Sequence, residues 1–270
     1  MTVEVTLERV AHGGYVVGRA DGKVLFVTGG LPGERVLAEI TETGSRFDRA
    51  RVVEVLEPAV GRVTPPCPIA DRCGGCDWQH ADHPTQLALK GAVVAEQLQR
   101  LAGITWRGSV EAAPGGLTGW RTRVRYAVDE SGRIGFRGRR SHEVVALPEQ
   151  GCLIASPGPS VAELGAHARA GSDLEVTVAA DRTVVTVAGG TRRQPPVRET
   201  VRGRTFEVEP GGFWQVHPHS AEILTDAVLT GLRPVPGERA LDLYCGVGLF
   251  AGALVEAGCL VMGAELSREA

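Results

Sequence analysis

The chain has 270 residues, of which 43% are hydrophobic and 23% are charged, as is ordinary for a globular protein. The formal net charge of −3 excludes a general electrostatic attraction to nucleic acid, so any such contact must rest on local charge. Apolar runs are too short to cross a bilayer, and the N-terminus lacks the apolar stretch of a signal peptide, which predicts a cytoplasmic protein without a membrane partner.

Residues 1–57 alternate apolar and polar residues between turn signals such as Asp21-Gly22 and Leu31-Pro32-Gly33. Five short strands at this spacing predict a small β-barrel of the oligonucleotide-binding type. The segment carries seven Lys and Arg residues against nine Asp and Glu residues, so it is not basic. A barrel that only packs against the rest of the protein is the alternative.

Residues 58–210 are predicted to form a central, β-rich region. It opens with an irregular stretch rich in proline and glycine, followed by a helix from Pro84 to Ala102 that ends at Gly103. Two hairpins are expected further on, with turns near residues 130–132 and 180–181, and a short helix around 159–169 between them.

Residues 211–270 change to the pattern of a parallel α/β domain. A helix at about 218–231 is followed by strand, glycine turn, helix and strand, which is the beginning of a Rossmann-like domain. Two strands cannot make a stable doubly wound sheet, so the sequence predicts an incomplete domain. The overall fold class is therefore α+β, with several domains.

Four cysteines are candidate metal ligands. Cys67, Cys73 and Cys76 have the spacing C-x5-C-x2-C in an irregular loop, and Cys152 is remote. Disulfides are not expected in the cytosol, and four thiolates fit either a cubane iron–sulfur cluster or tetrahedral zinc. Three close ligands and one distant ligand slightly favour iron–sulfur. Unrelated thiols are a poor explanation for the three close cysteines and a tenable one for Cys152 alone.

A nucleotide-type turn follows the strand at residues 241–243. Gly246 and Gly248 allow close approach of a ligand to the backbone, and Glu265 ends the next strand, where a carboxylate can accept hydrogen bonds from ribose hydroxyls. The pattern Gly-x-Gly-x-x-Ala also satisfies the dinucleotide fingerprint, so a nicotinamide cofactor is an alternative. Upstream, residues 211–218 contain Phe213 and Gln215, which fit either a ligand pocket or, preferably, an aromatic core cluster before a helix.

An arginine-rich hairpin is the candidate RNA-binding element. Arg121, Arg123 and Arg125 alternate and are expected to share one face of a strand, with Arg137 on the second arm. Arginines beside Trp120 and Tyr126 suit a phosphate backbone with unstacked bases. A solvated strand with scattered salt bridges is the alternative, and for any single arginine it is the better one.

Taken in order, these segments resemble the family of S-adenosylmethionine-dependent RNA uracil-C5 methyltransferases. The resemblance covers nearly the whole chain. It rests on a TRAM-like barrel, C-x5-C-G-G-C-x-x-Q-H at 67–80, W-R-x-R-x-R at 120–125, Cys152, F-x-Q-x-x-P from Phe213, and D-L-Y-C-G-x-G at 242–248. The joint match is far more specific than any single motif.

The resemblance implies roles for particular residues. A [4Fe–4S] cluster would be held by Cys67, Cys73, Cys76 and Cys152. S-adenosylmethionine would be contacted by Gln215, Tyr244 and Glu265 at the turn formed by Gly246 and Gly248. RNA, either 23S rRNA or tRNA, would be bound by Arg121, Arg123, Arg125 and Arg137. The chain departs from the family pattern at His217 and Leu249, where asparagine is common.

The family mechanism uses a cysteine thiolate that adds to C6 of uracil and a base that removes the C5 proton. The resemblance places both after residue 270, and neither Cys245 nor Cys259 matches the nucleophile motif. We therefore expect no catalytic residue within residues 1–270 and no turnover by this chain alone. A non-catalytic RNA-binding iron–sulfur protein is the main alternative, and a nicotinamide-dependent oxidoreductase ranks well below it.

Overall fold

The structure is a computed structural model that describes residues 1–190 and 194–267. The chain forms two compact units. The first unit consists of Met1–Ala112 and Arg137–His142, and the second of Ala113–Phe136 and Glu143–Ala270. The division expected from the sequence, at residues 1–57, 58–210 and 211–270, remains a prediction.

The first unit opens with a closed five-stranded barrel, as predicted. Its strands are β1 (Thr2–Ala11), β2 (Tyr15–Ala20), β3 (Lys23–Thr28), β4 (Arg35–Thr43) and β5 (Phe47–Glu57), in the order β1-β2-β3-β5-β4. Neighbouring strands are antiparallel except for the parallel pair β3 and β5. Because side chains alternate along each strand, the apolar set points inward, and Leu7, Leu25 and Val36 are almost completely buried.

A buried carboxylate ties the barrel to the segment that follows it. Glu34 is fully buried and accepts hydrogen bonds from the backbone N–H of Leu31, at 2.8 Å, and of Ala59, at 3.2 Å. The guanidinium of Arg62 donates to the same carboxylate. Burial by itself raises the pKa of Glu34, but the hydrogen bonds from Arg62, Leu31 and Ala59 outweigh it, so the pKa lies below its ordinary value. The residue stays ionised and paired.

The predicted helix is α1 (His83–Ala102). Asp82 caps its N-terminus by accepting a 2.9 Å hydrogen bond from the N–H of Thr85, and Pro84 fits the first turn because its missing N–H is not needed there. Gly103 ends the helix with φ at 67°, a left-handed conformation that favours glycine. Both boundaries agree with the sequence.

The second unit contains a five-stranded sheet in the order β10-β9-β6-β7-β8. Its strands are β6 (Arg123–Val128), β7 (Ile134–Arg137), β8 (Val144–Ala146), β9 (Asp173–Val178) and β10 (Thr183–Val187). Both predicted hairpins are present, and the short helix between them is α2 (Val161–Gly165). A separate hairpin, β11 (Val197–Val201) and β12 (Arg204–Val208), was not anticipated.

The Rossmann-like beginning is also present. After α3 (Ser220–Leu232) come β13 (Arg239–Leu243), α4 (Leu249–Glu256) and β14 (Leu260–Ala264), and the two strands pair in parallel with Leu241 opposite Met262. Helix α4 and the β11–β12 hairpin share a core with the loop before α3. None of the described helices is long and apolar enough to span a membrane.

Candidate functional site

The glycine turn after β13 has an unusual backbone. Tyr244 has φ at 63°, and Gly246 and Gly248 have φ at 55° and 87°. A left-handed conformation costs a residue with a side chain about 1–2 kcal/mol, and 86% of Tyr244 is exposed, so packing does not repay this cost. The N–H groups of Tyr244 and Cys245 both donate to the carbonyl of Ala264, at 2.8 and 3.1 Å, and hold the turn to the end of β14. Strain of this kind is concentrated at ligand sites.

Glu265 closes the turn from the neighbouring strand. Its carboxylate accepts hydrogen bonds from the N–H of Ser267, at 2.7 Å, and of Gly246, at 2.8 Å. These two bonds lower the pKa of Glu265 from its ordinary value, so the group is a carboxylate at neutral pH. The structure therefore brings Glu265, Tyr244 and the two glycines to one edge of the parallel strand pair.

Two neighbouring residues hold the helix behind the turn. Asp242 is buried, and its Oδ2 accepts a 2.9 Å hydrogen bond from the N–H of Ala251 in the first turn of α4. Leu249 is 8% exposed and lies in the core shared with the β11–β12 hairpin. A leucine at this departure from the family pattern is thus explained by its packing. Asp242 was not singled out from the sequence, although a charged residue between Leu241 and Leu243 in a predicted strand is the signal that could have found it. The two leucines are 67% and 63% exposed, so Asp242 is the buried residue of this strand.

The loop before α3 separates its two aromatic residues. Trp214 is buried against Phe206, with ring centroids 5.5 Å apart, as the favoured core interpretation expected. Phe213, in contrast, is 78% exposed, and Gln215 is half-buried. The loop therefore uses one aromatic residue for packing and presents the other to solvent beside Gln215.

His217 is half-buried and packs against an aromatic neighbour. It stacks on Trp120 with centroids 6.0 Å apart, and its Nδ1 accepts a 3.2 Å hydrogen bond from the N–H of His219. Burial, followed by the charge of His219, lowers the pKa of His217 from its ordinary value. At this departure from the family pattern, the side chain thus packs as an aromatic ring against Trp120.

The sheet holds the same loop through side chains of β6 and β9. Nη1 of Arg123 donates to three carbonyls of this loop, those of Glu209, Pro210 and Gly212, at 3.4, 3.0 and 3.0 Å. The hydroxyl of Thr177 donates to the carbonyl of Pro210 at 2.7 Å. At the far end, the N–H and hydroxyl of Thr122 both donate to the carbonyl of Val216, at 2.8 and 2.9 Å. The stretch carrying Phe213 and Gln215 is therefore fixed at both ends.

This placement corrects one expectation about the arginines. Arg123 was expected to share an exposed strand face, but only 10% of its side chain is exposed, and it lies 3.7 Å from the carboxylate of Glu199. Burial lowers the pKa of Arg123 and raises the pKa of Glu199. Nε and Nη2 of Arg123 are buried without a hydrogen-bond partner in the described part of the chain. The long sequence separation between Arg123 and its acceptors hid this role.

The other candidate RNA-binding arginines lie in different surroundings. Arg125 is exposed and pairs with Asp173 at 2.9 Å and Glu175 at 3.6 Å. Arg121 is half-buried, and its Nε donates to the carbonyl of Arg123 at 3.2 Å. Arg137 is exposed and belongs to the first unit. The predicted set is thus divided between the two units.

Within the first unit, the arginine turn at 137–142 lies against the cysteine loop. The N–H of Gly74 donates to the carbonyl of Arg137 at 3.1 Å, and Cys73 forms a β-bridge with Gly138. Arg139 forms an ion pair with Asp77. The structure therefore brings one candidate RNA-binding arginine, Arg137, close to one of the candidate ligands, Cys73.

The cysteine loop has the donors of a metal site without a converged geometry. The amide oxygen of Gln79 accepts a 3.2 Å hydrogen bond from the N–H of Cys67, and the N–H of Gly75 donates to Sγ of Cys73 at 3.4 Å. All four candidate thiols are half-buried, and Cys152 belongs to the second unit. Among the described residues, no group of three or more His, Cys, Asp and Glu side chains is arranged to hold a metal ion.

The fold defines a class of protein. It combines a small β-barrel of the oligonucleotide-binding type with the beginning of a parallel α/β domain, whose strained glycine turn is typical of adenosine-binding sites. The TRAM domain family matches residues 1–53, which is the barrel. An RNA methyltransferase of Streptomyces avermitilis is 47% identical over 94% of this chain and 69% of its own length. The 23S rRNA (uracil(1939)-C(5))-methyltransferase RlmD of Pseudomonas aeruginosa is 32% identical over 97% of this chain and 68% of its own length.

The chain belongs to the family of RNA uracil-C5 methyltransferases. Its fold is similar to the crystal structure of the Pyrococcus abyssi tRNA (uracil-54, C5)-methyltransferase in complex with S-adenosyl-L-homocysteine. That match has a TM-score of 0.68 at 18% identity and covers 97% of this chain and 73% of that one. The chain spans about two thirds of the length of these relatives.

Proposed function

We propose that this chain is the RNA-handling and cofactor-binding portion of a cytoplasmic enzyme that transfers a methyl group from S-adenosylmethionine to C5 of uridine in rRNA or tRNA. The observation that carries the proposal is the turn at 242–248. It combines a left-handed Tyr244 with a carboxylate, Glu265, bonded to the N–H of Gly246. A relative at 32% identity that methylates a uracil of 23S rRNA supports the substrate class.

The cofactor is proposed to lie against this turn. Gly246 and Gly248 leave the backbone open to the adenosine end, and the N-terminus of α4 adds positive potential. Glu265 still has lone pairs for the ribose hydroxyls after accepting two backbone N–H groups. Tyr244 supplies an exposed ring for the adenine, and Gln215 supplies an amide for the methionine end.

Neither cysteine near the turn is proposed as the nucleophile. Cys259 is buried, and its Sγ lies 3.9 Å from the carbonyl of Val235. Cys245 is half-buried, and its Sγ would lie only 3.0 Å from a Cβ placed at Gly263, so it packs against β14. A thiolate that adds to C6 of uracil must instead be accessible to the base. Residues 1–270 alone are therefore expected to bind ligands without methylating RNA.

RNA is proposed to bind through Arg121, Arg125 and Arg137. Arg125 and Arg137 are exposed, and surface ion pairs such as that of Arg125 with Asp173 cost little to exchange for a phosphate. Arg123 is left out of this surface because its guanidinium is used by the loop at 209–212.

A [4Fe–4S] cluster is proposed at Cys67, Cys73, Cys76 and Cys152. Thiolate donors, an irregular loop and an N–H group directed at Cys73 Sγ are the features that support it. When bound, the cluster would have a structural role, because uracil methylation requires no electron transfer. An anaerobic spectrum with iron and sulfide analysis tests this. A broad band near ~400 nm that is lost on reduction is expected, and stoichiometric zinc without iron would contradict the proposal.

The proposed function is tested with tritiated S-adenosylmethionine and unmodified 23S rRNA and tRNA transcripts. The chain should retain RNA and S-adenosylhomocysteine on a filter or column without transferring label to RNA. Retention of RNA without any cofactor would support the non-catalytic RNA-binding alternative. Label found in RNA would show that a nucleophile lies within residues 1–270.

A further inference from the structure

The second unit contains a cavity to which the proposed methyl transfer assigns no role. Its volume is about 200 Å³, and it lies between the sheet of the second unit and residues 147–164. That is several times the roughly 30 Å³ that one water molecule occupies, and less than the 300–1,000 Å³ of typical drug-sized sites. A single heterocyclic ring is a ligand of suitable size.

Several residues with polar side chains line this cavity, among them Tyr126, Arg121 and Gln150. Tyr126 is only 5% exposed, and no hydrogen bond of its hydroxyl is found among the described residues, although its oxygen is not one of the fully buried atoms that lack a partner. The hydroxyl can therefore donate to, or accept from, a ligand in the cavity.

The rest of the cavity wall suits a flat, partly apolar molecule. The apolar part of the lining comes from the sheet and from the segment opposite it: Val124, Val176, Val178, Leu147 and Leu164. The lining also includes the sequence Pro157-Gly158-Pro159, which precedes α2. Cys152 also lines the cavity.

We propose that this cavity binds an unpaired pyrimidine base of the RNA, with Tyr126, Gln150 and Arg121 hydrogen-bonding to its polar edge. The proposal rests on the proposed function, because RNA is the ligand. Pyrimidine carbonyls accept from the hydroxyl, amide and guanidinium, and the ring N–H can donate to the amide oxygen or the hydroxyl. Recognition of splayed-out bases by such groups is the usual mode for single-stranded RNA. A base bound here would position the RNA on the second unit independently of the methylated uridine.

The test uses a uridine-rich single-stranded RNA in which 4-thiouridine replaces uridine, cross-linked by light to the complete chain and mapped by mass spectrometry. Cross-links are expected at Tyr126 or within residues 147–161. Tyr126→Phe removes only the hydroxyl and should weaken binding of this RNA about five- to tenfold, the usual worth of one buried hydrogen bond. Ala155→Leu, which fills the cavity, should weaken it at least as much.

Two controls separate the cavity from general effects. Thr225→Val removes a buried hydroxyl that donates to the carbonyl of Ala221 in α3, and it should leave RNA affinity unchanged. Binding of the fully duplexed RNA should be the same for wild type and Tyr126→Phe. If the chain binds no RNA, the proposed function fails. If it binds RNA but Tyr126→Phe and Ala155→Leu have no effect and no cross-link maps to the cavity, this inference alone is overturned.

Discussion

Replacement of Arg123 by methionine separates a positioning role from an RNA contact. The change removes three hydrogen bonds to the loop at 209–212 and leaves Glu199 buried without its cation. Breaking a buried ion pair by removing one partner costs about 3–5 kcal/mol. Burial already raises the pKa of Glu199, so the unpaired carboxyl can take up a proton and limit the loss. We therefore expect the lower end, about 3 kcal/mol.

The measurement is urea unfolding of the wild type and the variant, followed by tryptophan fluorescence. Trp120 and Trp214 report on the second unit, because one stacks on His217 and the other packs in the core beneath the loop. Affinity for S-adenosylhomocysteine should also fall, since Gln215 lies on the loop that Arg123 holds. The dependence of RNA binding on salt should not change.

Arg125→Met is the matched control, two residues along the same strand. Its ion pairs with Asp173 and Glu175 are exposed, and such pairs contribute about 0–1 kcal/mol. This variant should unfold at almost the same urea concentration as the wild type. The logarithm of its RNA affinity should depend less steeply on the logarithm of the salt concentration, with a slope smaller by about 0.7 for each phosphate contact removed. The reasoning is refuted if Arg123→Met is as stable as Arg125→Met and reduces the salt slope instead.

Three further predictions concern the first unit and the thiols. The pKa of His80 lies below its ordinary 6.5, chiefly through burial. As the pH falls, this imidazole is therefore protonated in the unfolded chain at a higher pH than in the folded chain. The unfolding free energy of the first unit should therefore decrease below about pH 6.5, and His80→Gln should flatten that slope. Glu34→Gln leaves the Arg62 guanidinium without its charge partner and should cost about 3 kcal/mol in urea unfolding; a loss below 1 kcal/mol would contradict the network. Cys73→Ser should abolish the absorbance near ~400 nm, whereas Cys259→Ser, at a buried thiol outside the loop, should retain it.

Features set by neighbours in sequence were predictable. The barrel followed from alternation and turn residues, and α1 followed from its apolar spacing between Asp82 and Gly103. The glycine turn and Glu265 were also found, because strand, turn and helix are contiguous. In these elements the local signal and the final structure agree.

Features set by distant partners were not predictable. The alternating pattern predicted Arg123 to be a surface residue. Its hydrogen bonds to carbonyls 86 to 89 residues further along the chain are what make it a buried residue that holds a loop in place. The β11–β12 hairpin is short and polar, and its Arg202-Gly203 turn, with φ at 51° and 82°, was the overlooked signal. The cavity beside Tyr126 depends on packing between segments, which no sequence pattern encodes.

The most direct test of the account is calorimetric titration of the chain with S-adenosylhomocysteine and, separately, with NAD⁺. Gly248→Ala and Gly237→Ala are a matched pair, because both glycines have φ at 87° but only Gly248 lies in the proposed cofactor turn. We predict saturable binding of S-adenosylhomocysteine by the wild type and Gly237→Ala, a large loss in Gly248→Ala, and no binding of NAD⁺. Binding of NAD⁺ in preference, or equal binding by both glycine variants, would contradict the assignment of this turn.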